Sequence, residues 1–220
     1  MIKLKTIFTF FLQYSPGCAF LLFNLMVFCH ATGARADNCQ DYLVMVSGDT
    51  LFGTVEHINS RSISPKFHSK IRLTDARRKQ RKFSRKGIAA FKSDGAIYES
   101  FWLRQRSRWI TIDNPVYIMR KRKGEQTFLK LIEKGSLTHY HLEWWEQGES
   151  TLMWMDLIKR EGDPYLIRAT QGILGLKKNV LTRYFWDCPE IVRQIEFKEV
   201  SAISQVVGFY NSTCGMVRSD

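Results

Sequence analysis

His139, His141 and Glu143 occupy alternate positions of the segment Leu137–Trp145. On a β-strand, residues two apart point to the same face, so two imidazoles and a carboxylate would stand in one row. Histidines at that spacing can supply two ligands to a zinc ion. A centre needs at least one more from elsewhere, for which the sequence offers His57 or His68. Thr138, Tyr140, Leu142 and Trp144 would fill the opposite face, and a strand with a polar outer surface accounts for the same pattern. His139 and His141 are thus candidate ligands with no metal assigned, and no cofactor is expected. The enzymatic reading that they allow is a metal-dependent hydrolase.

A second chemistry lies in charge. Between residues 61 and 86 stand eleven cations, Arg61, Lys66, Lys70, Arg72, Arg77, Arg78, Lys79, Arg81, Lys82, Arg85 and Lys86, against Asp75 alone. Arg104, Arg106 and Arg108, followed by Arg120–Lys123, form another cluster in turns between strands. If the segments adjoin, they make a positive face able to hold polyanions. Arg77, Arg78, Lys79, Arg81, Lys82, Arg104 and Arg106 are the residues expected to carry it. Solvated hairpin loops, whose charge keeps sheet edges from pairing, are the plainer account.

Trp102, Trp109, Trp144, Trp145, Trp154 and Trp186 are a third feature. Adjacent Trp144 and Trp145 must point one ring to each face of a strand, so one of them can serve as a flat platform for a ligand; core packing with an amphipathic rim explains them equally. Catalytic residues are not indicated. The chain has no G-x-S-x-G elbow, P-loop, H-E-x-x-H or G-x-G-x-x-G. Cys188, between Asp187 and Pro189, falls on an apolar helical stripe and reads as a buried residue or half a disulfide.

The N-terminus gives these features an address. Lys3 and Lys5 precede two apolar runs, Ile7–Leu12 and Ala19–Cys29, broken by Pro16-Gly17, and then comes Ala34-Arg35-Ala36. That order reads as a cleavable secretory signal over residues 1–36. A retained transmembrane anchor and a lipid on Cys18 or Cys29 are the competing readings. The formal charge is +12, and removing residues 1–36 takes away Lys3, Lys5 and Arg35 and leaves +9. An oxidising compartment permits a disulfide, expected to tether Cys39 to Cys188 or Cys214 with one thiol left over. Export also turns the basic surface away from nucleic acid, which is not expected as a partner.

The elements that must position these residues follow a period of two from Asp41 onward. Ser47-Gly48-Asp49 is a turn between strands, with Gly48 free to take positive φ, and Leu51–Ile58 resumes. Further strands are expected at Lys70–Thr74, Gln80–Ser84, Ile88–Phe91, Ala96–Leu103, Trp109–Ile112, Val116–Arg120, Thr127–Glu133, Leu137–Trp145, Leu152–Lys159 and Tyr165–Arg168. After about residue 176, Leu181, Phe185, Cys188, Ile191 and Ile195 recur at helical spacing. Pro189 divides that stretch into two helices, with Asp187 expected as N-cap and Glu190 completing a capping box. Val200, Ile203, Val206, Val207 and Tyr210 mark a third.

Three segments taken in order, DYLVMVSGDTLFGTV (41–55), IAAFKSDGAIYES (88–100) and YFWDCPEIVRQIEFKEVSAISQVVGFYN (184–211), resemble a group of secreted proteins common in Bacteroidetes. That group combines a signal peptide, an opening G-D-T hairpin, a middle F-x-x-D-G-x-x-Y-E strand pair and a closing D-C-P-E helix ending in Y-N. The resemblance implies a periplasmic or envelope location and a sheet followed by helices, and it carries no activity and no catalytic residues.

The expectation is therefore a mainly β (α+β) fold. A signal peptide over 1–36 precedes an antiparallel sheet, sandwich or open barrel over 37–175. Two to three helices over 176–220 pack on the sheet. The expected role is a non-enzymatic exported module in contact with anionic envelope glycans or lipids, or with an envelope protein, and with no retained transmembrane helix. A metal-dependent hydrolase using His139 and His141 is the alternative.

Overall fold

A computed structural model describes residues 40–58, 70–106, 116–120, 123–145 and 151–215. The expected class is the observed one: mainly β, all strand pairs antiparallel, with helices at the C-terminal end. Residues 1–36, Cys39 and the expected strand Trp109–Ile112 lie outside the described residues.

Six strands close on themselves. β7 (Ala96–Arg106) pairs with β8 (Val116–Met119) at its end and with β9 (Glu125–Glu133) along its middle. From β8 the ladder passes to β12 (Tyr165–Arg168), β11 (Leu152–Arg160), β10 (Leu137–Trp145) and back to β9. Side chains from all six strands meet inside, among them Leu103, Leu129, Tyr140, Leu157 and Leu166 with Tyr117. The sheet has therefore become a small barrel filled by its own side chains.

The first half of β7 also carries an outward extension of the same sheet. β6 (Ile88–Ser93) pairs with it, and β1 (Tyr42–Met45) and β2 (Thr50–Phe52) continue outward. The expected strand Leu51–Ile58 is broken at Gly53, where an added Cβ would collide with the Thr74 carbonyl. The chain turns there into a separate three-stranded sheet of β3 (Thr54–Ile58), β4 (Lys70–Thr74) and β5 (Gln80–Ser84). Val55, Ile71 and Leu73 from this sheet pack on Leu43, Ile88, Phe91, Tyr98 and Phe128.

Helices cover part of the outer face of β10, β11 and β12. α1 (Lys178–Tyr184), α2 (Pro189–Glu196) and α3 (Ile203–Phe209) bury Leu181, Phe185, Ile191, Ile195, Val206 and Val207 against Leu137, Ile158 and Ile167. Each such fully buried aliphatic or aromatic side chain contributes about 1.5–3 kcal/mol. Pro189 begins α2, as expected of a residue with no N–H to lose at the first helical position. The cap differs: Cys188 is the N-cap, and the Asp187 carboxylate instead receives Arg160. A charge-assisted, bidentate contact to a buried guanidinium outweighs a single capping hydrogen bond. Cys188 is bonded to Cys214 rather than to Cys39. Among the described residues, no helix is long and apolar enough to cross a membrane.

Candidate metal centre on the barrel wall

β10 and β11 form a hairpin in strict register, with His141 opposite Asp156 and His139 opposite Ile158. Since Tyr140, Leu142, Met155 and Leu157 point into the barrel, His139, His141, Glu143, Trp154 and Asp156 share its outer wall. The row expected from the sequence therefore exists, and the facing strand adds a residue to it.

That residue is Asp156. His139 Nε2 lies 2.9 Å and His141 Nε2 3.1 Å from the same oxygen, Asp156 Oδ1. The other oxygen, Oδ2, accepts a 2.6 Å hydrogen bond from Thr170 Oγ1. One ligand atom from each of the three residues lies within 4.8 Å of the others. Burial alone would raise the Asp156 pKa. The hydrogen bonds from His139, His141 and Thr170 overcome it and hold the carboxyl well below the usual carboxylate range.

Access to the group is one-sided. The His139 side chain is 3% exposed, while Asp156 and His141 keep 15% and 21%. The two imidazoles meet edge to face, and the Trp154 ring stacks on His141 with centroids 5.8 Å apart. Trp154 is itself 54% exposed beside the cluster, whereas Trp144 and Trp145, the pair from which the sequence expects a platform, are both half-buried.

Glu143 stands apart from the triad. Its oxygens take Lys130 Nζ at 3.2 Å and the Tyr98 hydroxyl at 3.4 Å. His57, the third ligand suggested by the sequence, packs edge-on against Phe91 and Tyr98 instead. His68 lies outside the described residues. Spacing along the sequence does not point to Asp156, because residues 146–151 carry no two-residue turn signature. Without one, the sequence does not fix which residue of the second strand faces His141.

The basic residues occupy several elements. Arg77, Arg78 and Lys79 form the exposed β4–β5 turn, in which Asp75 Oδ1 accepts the backbone N–H groups of Arg77 and Lys79 at 3.0 Å. Arg81 and Lys82 continue along β5, an outer strand of the three-stranded sheet. Arg81 extends over the Phe83 ring. Lys82 sits opposite Arg72, which pairs with Glu56. Arg104 is exposed on β7, opposite Ile118, and Arg106 ends the same strand. A cavity of about 520 Å³ beside α1 gathers Lys177, Lys178 and Arg183, which the sequence reading did not single out.

The segments that carry the resemblance hold the fold together. Asp49 and Ser47 close the first turn. Tyr98 and Glu99 take part in hydrogen bonds with Glu143 and Tyr140. Asp187 anchors Arg160, and Asn211 binds the β9–β10 turn. Comparison of the chain with protein-family models, with curated proteins and with solved structures finds no match in any of the three.

Proposed function

We propose that this chain is an exported, non-enzymatic module of the periplasm or envelope that contacts anionic surfaces through its β4–β5 hairpin. The observation that carries the reading is the exposure of Arg77, Arg78, Lys79, Arg81 and Lys82 on that single hairpin. None of the five forms an ion pair with another described residue. Such a surface holds polyanions by summed field rather than by shape, and salt weakens it. The Cys188–Cys214 bond supports the address, since disulfides persist in oxidising compartments. So do the signal-like residues 1–36 and the resemblance to secreted Bacteroidetes proteins.

Retention of the purified protein on immobilised lipopolysaccharide or acidic glycan, followed across a salt gradient, tests the proposal. The native chain is expected to elute late and at higher salt than a variant with the five cations changed to Gln. Equal elution of the two overturns it.

The hydrolase alternative gains Asp156 as a third ligand beside His139 and His141. Among the described residues it gains no free base: Glu143 is held by Lys130 and Tyr98, and Glu133, opposite His139 on β9, accepts a hydrogen bond from Asn211. The site thus supports holding an ion better than turning over a substrate.

A further inference from the structure

We infer that His139, His141 and Asp156 form a binding site for one divalent first-row transition metal of the zinc class, on the outer wall of the barrel. The inference is independent of the basic hairpin and of any envelope contact.

Donor chemistry sets the class. Two imidazole nitrogens and one carboxylate oxygen suit Zn²⁺ and its neighbours, whereas Ca²⁺ and Mg²⁺ prefer sets built from oxygen alone. The spacing is close to what an ion needs. Ligand atoms around a tetrahedral ion with bonds of about 2.1 Å stand about 3.4 Å apart. The two His–Asp contacts are hydrogen bonds of 2.9 and 3.1 Å, and the three ligand atoms lie within 4.8 Å of one another. An ion would replace the protons of those hydrogen bonds, with each contact opening by a few tenths of an ångström.

The strands explain why the site is pre-formed. His139 and His141 hang from one face of β10, Asp156 from the facing position of β11, and the pairing between these strands is unbroken from Leu137 to Trp145. Sites built on paired strands hold their geometry better than sites on loops. Thr170 fixes the carboxylate by its second oxygen, leaving Oδ1 directed at both imidazoles. Trp154 fixes the plane of the His141 ring from the solvent side. With three protein ligands and one exposed side, positions remain for water or an outside ligand.

His139 Nδ1 is buried with no hydrogen-bond partner among the described residues. Ligating histidines generally donate that proton to an outer acceptor, and loss of such a partner weakens a site by about 10–100-fold. The site is accordingly expected to hold zinc more weakly than a fully supported structural centre does.

Equilibrium competition between the purified full chain and a chromophoric zinc chelator, with Co²⁺ substitution read by visible absorption, tests the inference. One equivalent of Zn²⁺ is expected for the native protein, with a Co²⁺ spectrum displaced by zinc. His141→Ala and Asp156→Asn should each weaken binding by more than 100-fold, beyond the range of an outer-shell loss. Thr170→Val should weaken it by about 10-fold. Circular dichroism reports whether each variant folds. Should Asp156→Asn fail to fold, His141→Ala, at the exposed rim, and the Co²⁺ spectrum of the native chain decide alone. No uptake by the native protein, or full uptake by folded His141→Ala, overturns the assignment.

Discussion

Arg160 grips Asp187 with both ends of its guanidinium, Nη1 to Oδ2 at 2.9 Å and Nη2 to Oδ1 at 2.6 Å. Nη2 also donates to the Tyr184 carbonyl, and the rings of Tyr184, Phe185 and Tyr210 surround the charge. Only 7% of Arg160 is exposed, so its strand, β11, is tied to the helical layer by a charge that cannot return to water. Removing Asp187 would leave that cation buried with one carbonyl. Asp187→Ala is expected to cost about 2–4 kcal/mol, towards the low end of a broken buried pair because the carboxylate is partly exposed. Urea unfolding measures it. A loss under about 1 kcal/mol would mean that the aromatic box alone stabilises Arg160.

Asn211 joins the last helical turn to the β9–β10 connection. Its Oδ1 accepts the Leu137 N–H at 2.8 Å, and its Nδ2 donates to the Leu137 carbonyl and to Glu133. Gly135 lies directly beneath, where an added Cβ would come within 2.5 Å of the Asn211 side chain. Asn211→Ala should cost about 1–3 kcal/mol by leaving the Leu137 amide unsatisfied. Gly135→Ala should displace the same side chain. The double variant is then expected to cost less than the sum of the two, and additive unfolding energies would show that they act separately.

Loss of the Cys188–Cys214 bond frees a loop of 26 residues' separation. Changing both residues to Ala should cost about 3 kcal/mol and lower the unfolding temperature by roughly 6–12 °C. Calorimetry of the native chain with and without reductant gives the comparison. Reductant should leave the double variant unaffected.

Tyr98, Tyr140 and Tyr184 have hydroxyl pKa values raised by burial first, and then by hydrogen bonds to Glu143, Glu99 and Asp163 respectively. The folded state therefore favours the neutral phenols. Their contribution to stability is intact below the unfolded value of about 10 and declines as pH rises beyond it. Near-ultraviolet tyrosinate absorbance should show these groups ionising only together with unfolding. Reversible titration of all tyrosines near pH 10 in the folded protein would contradict that.

How much of this was legible in the sequence depends on the range of each contact. Strands ended by local turn chemistry were found within a residue or so: Lys70–Thr74, Gln80–Ser84, Leu137–Trp145 and Tyr165–Arg168 lie where alternation and turn residues put them. Gly53 reads as strand in the sequence because the reason for the break is the Thr74 carbonyl, twenty-one positions away. Closure of β7 on β9 and capture of Asp187 by Arg160 likewise depend on partners that no local pattern announces. At the candidate site, the two imidazoles on one face followed from spacing alone. Asp156 needs the register of two paired strands, and the sequence between them has no two-residue turn signature.

The shared use of β7 has a consequence in time. Its first half finds β6 next door, but its last residues pair with β8, and β8 finds its other neighbour only in β12, nearly fifty residues further on. As the chain emerges from the ribosome, the ring cannot be completed until Arg168 is out, and its helical cover must wait for the residues around Asn211. Pairings of such long range form slowly. The nascent protein consequently stays open for most of its own synthesis.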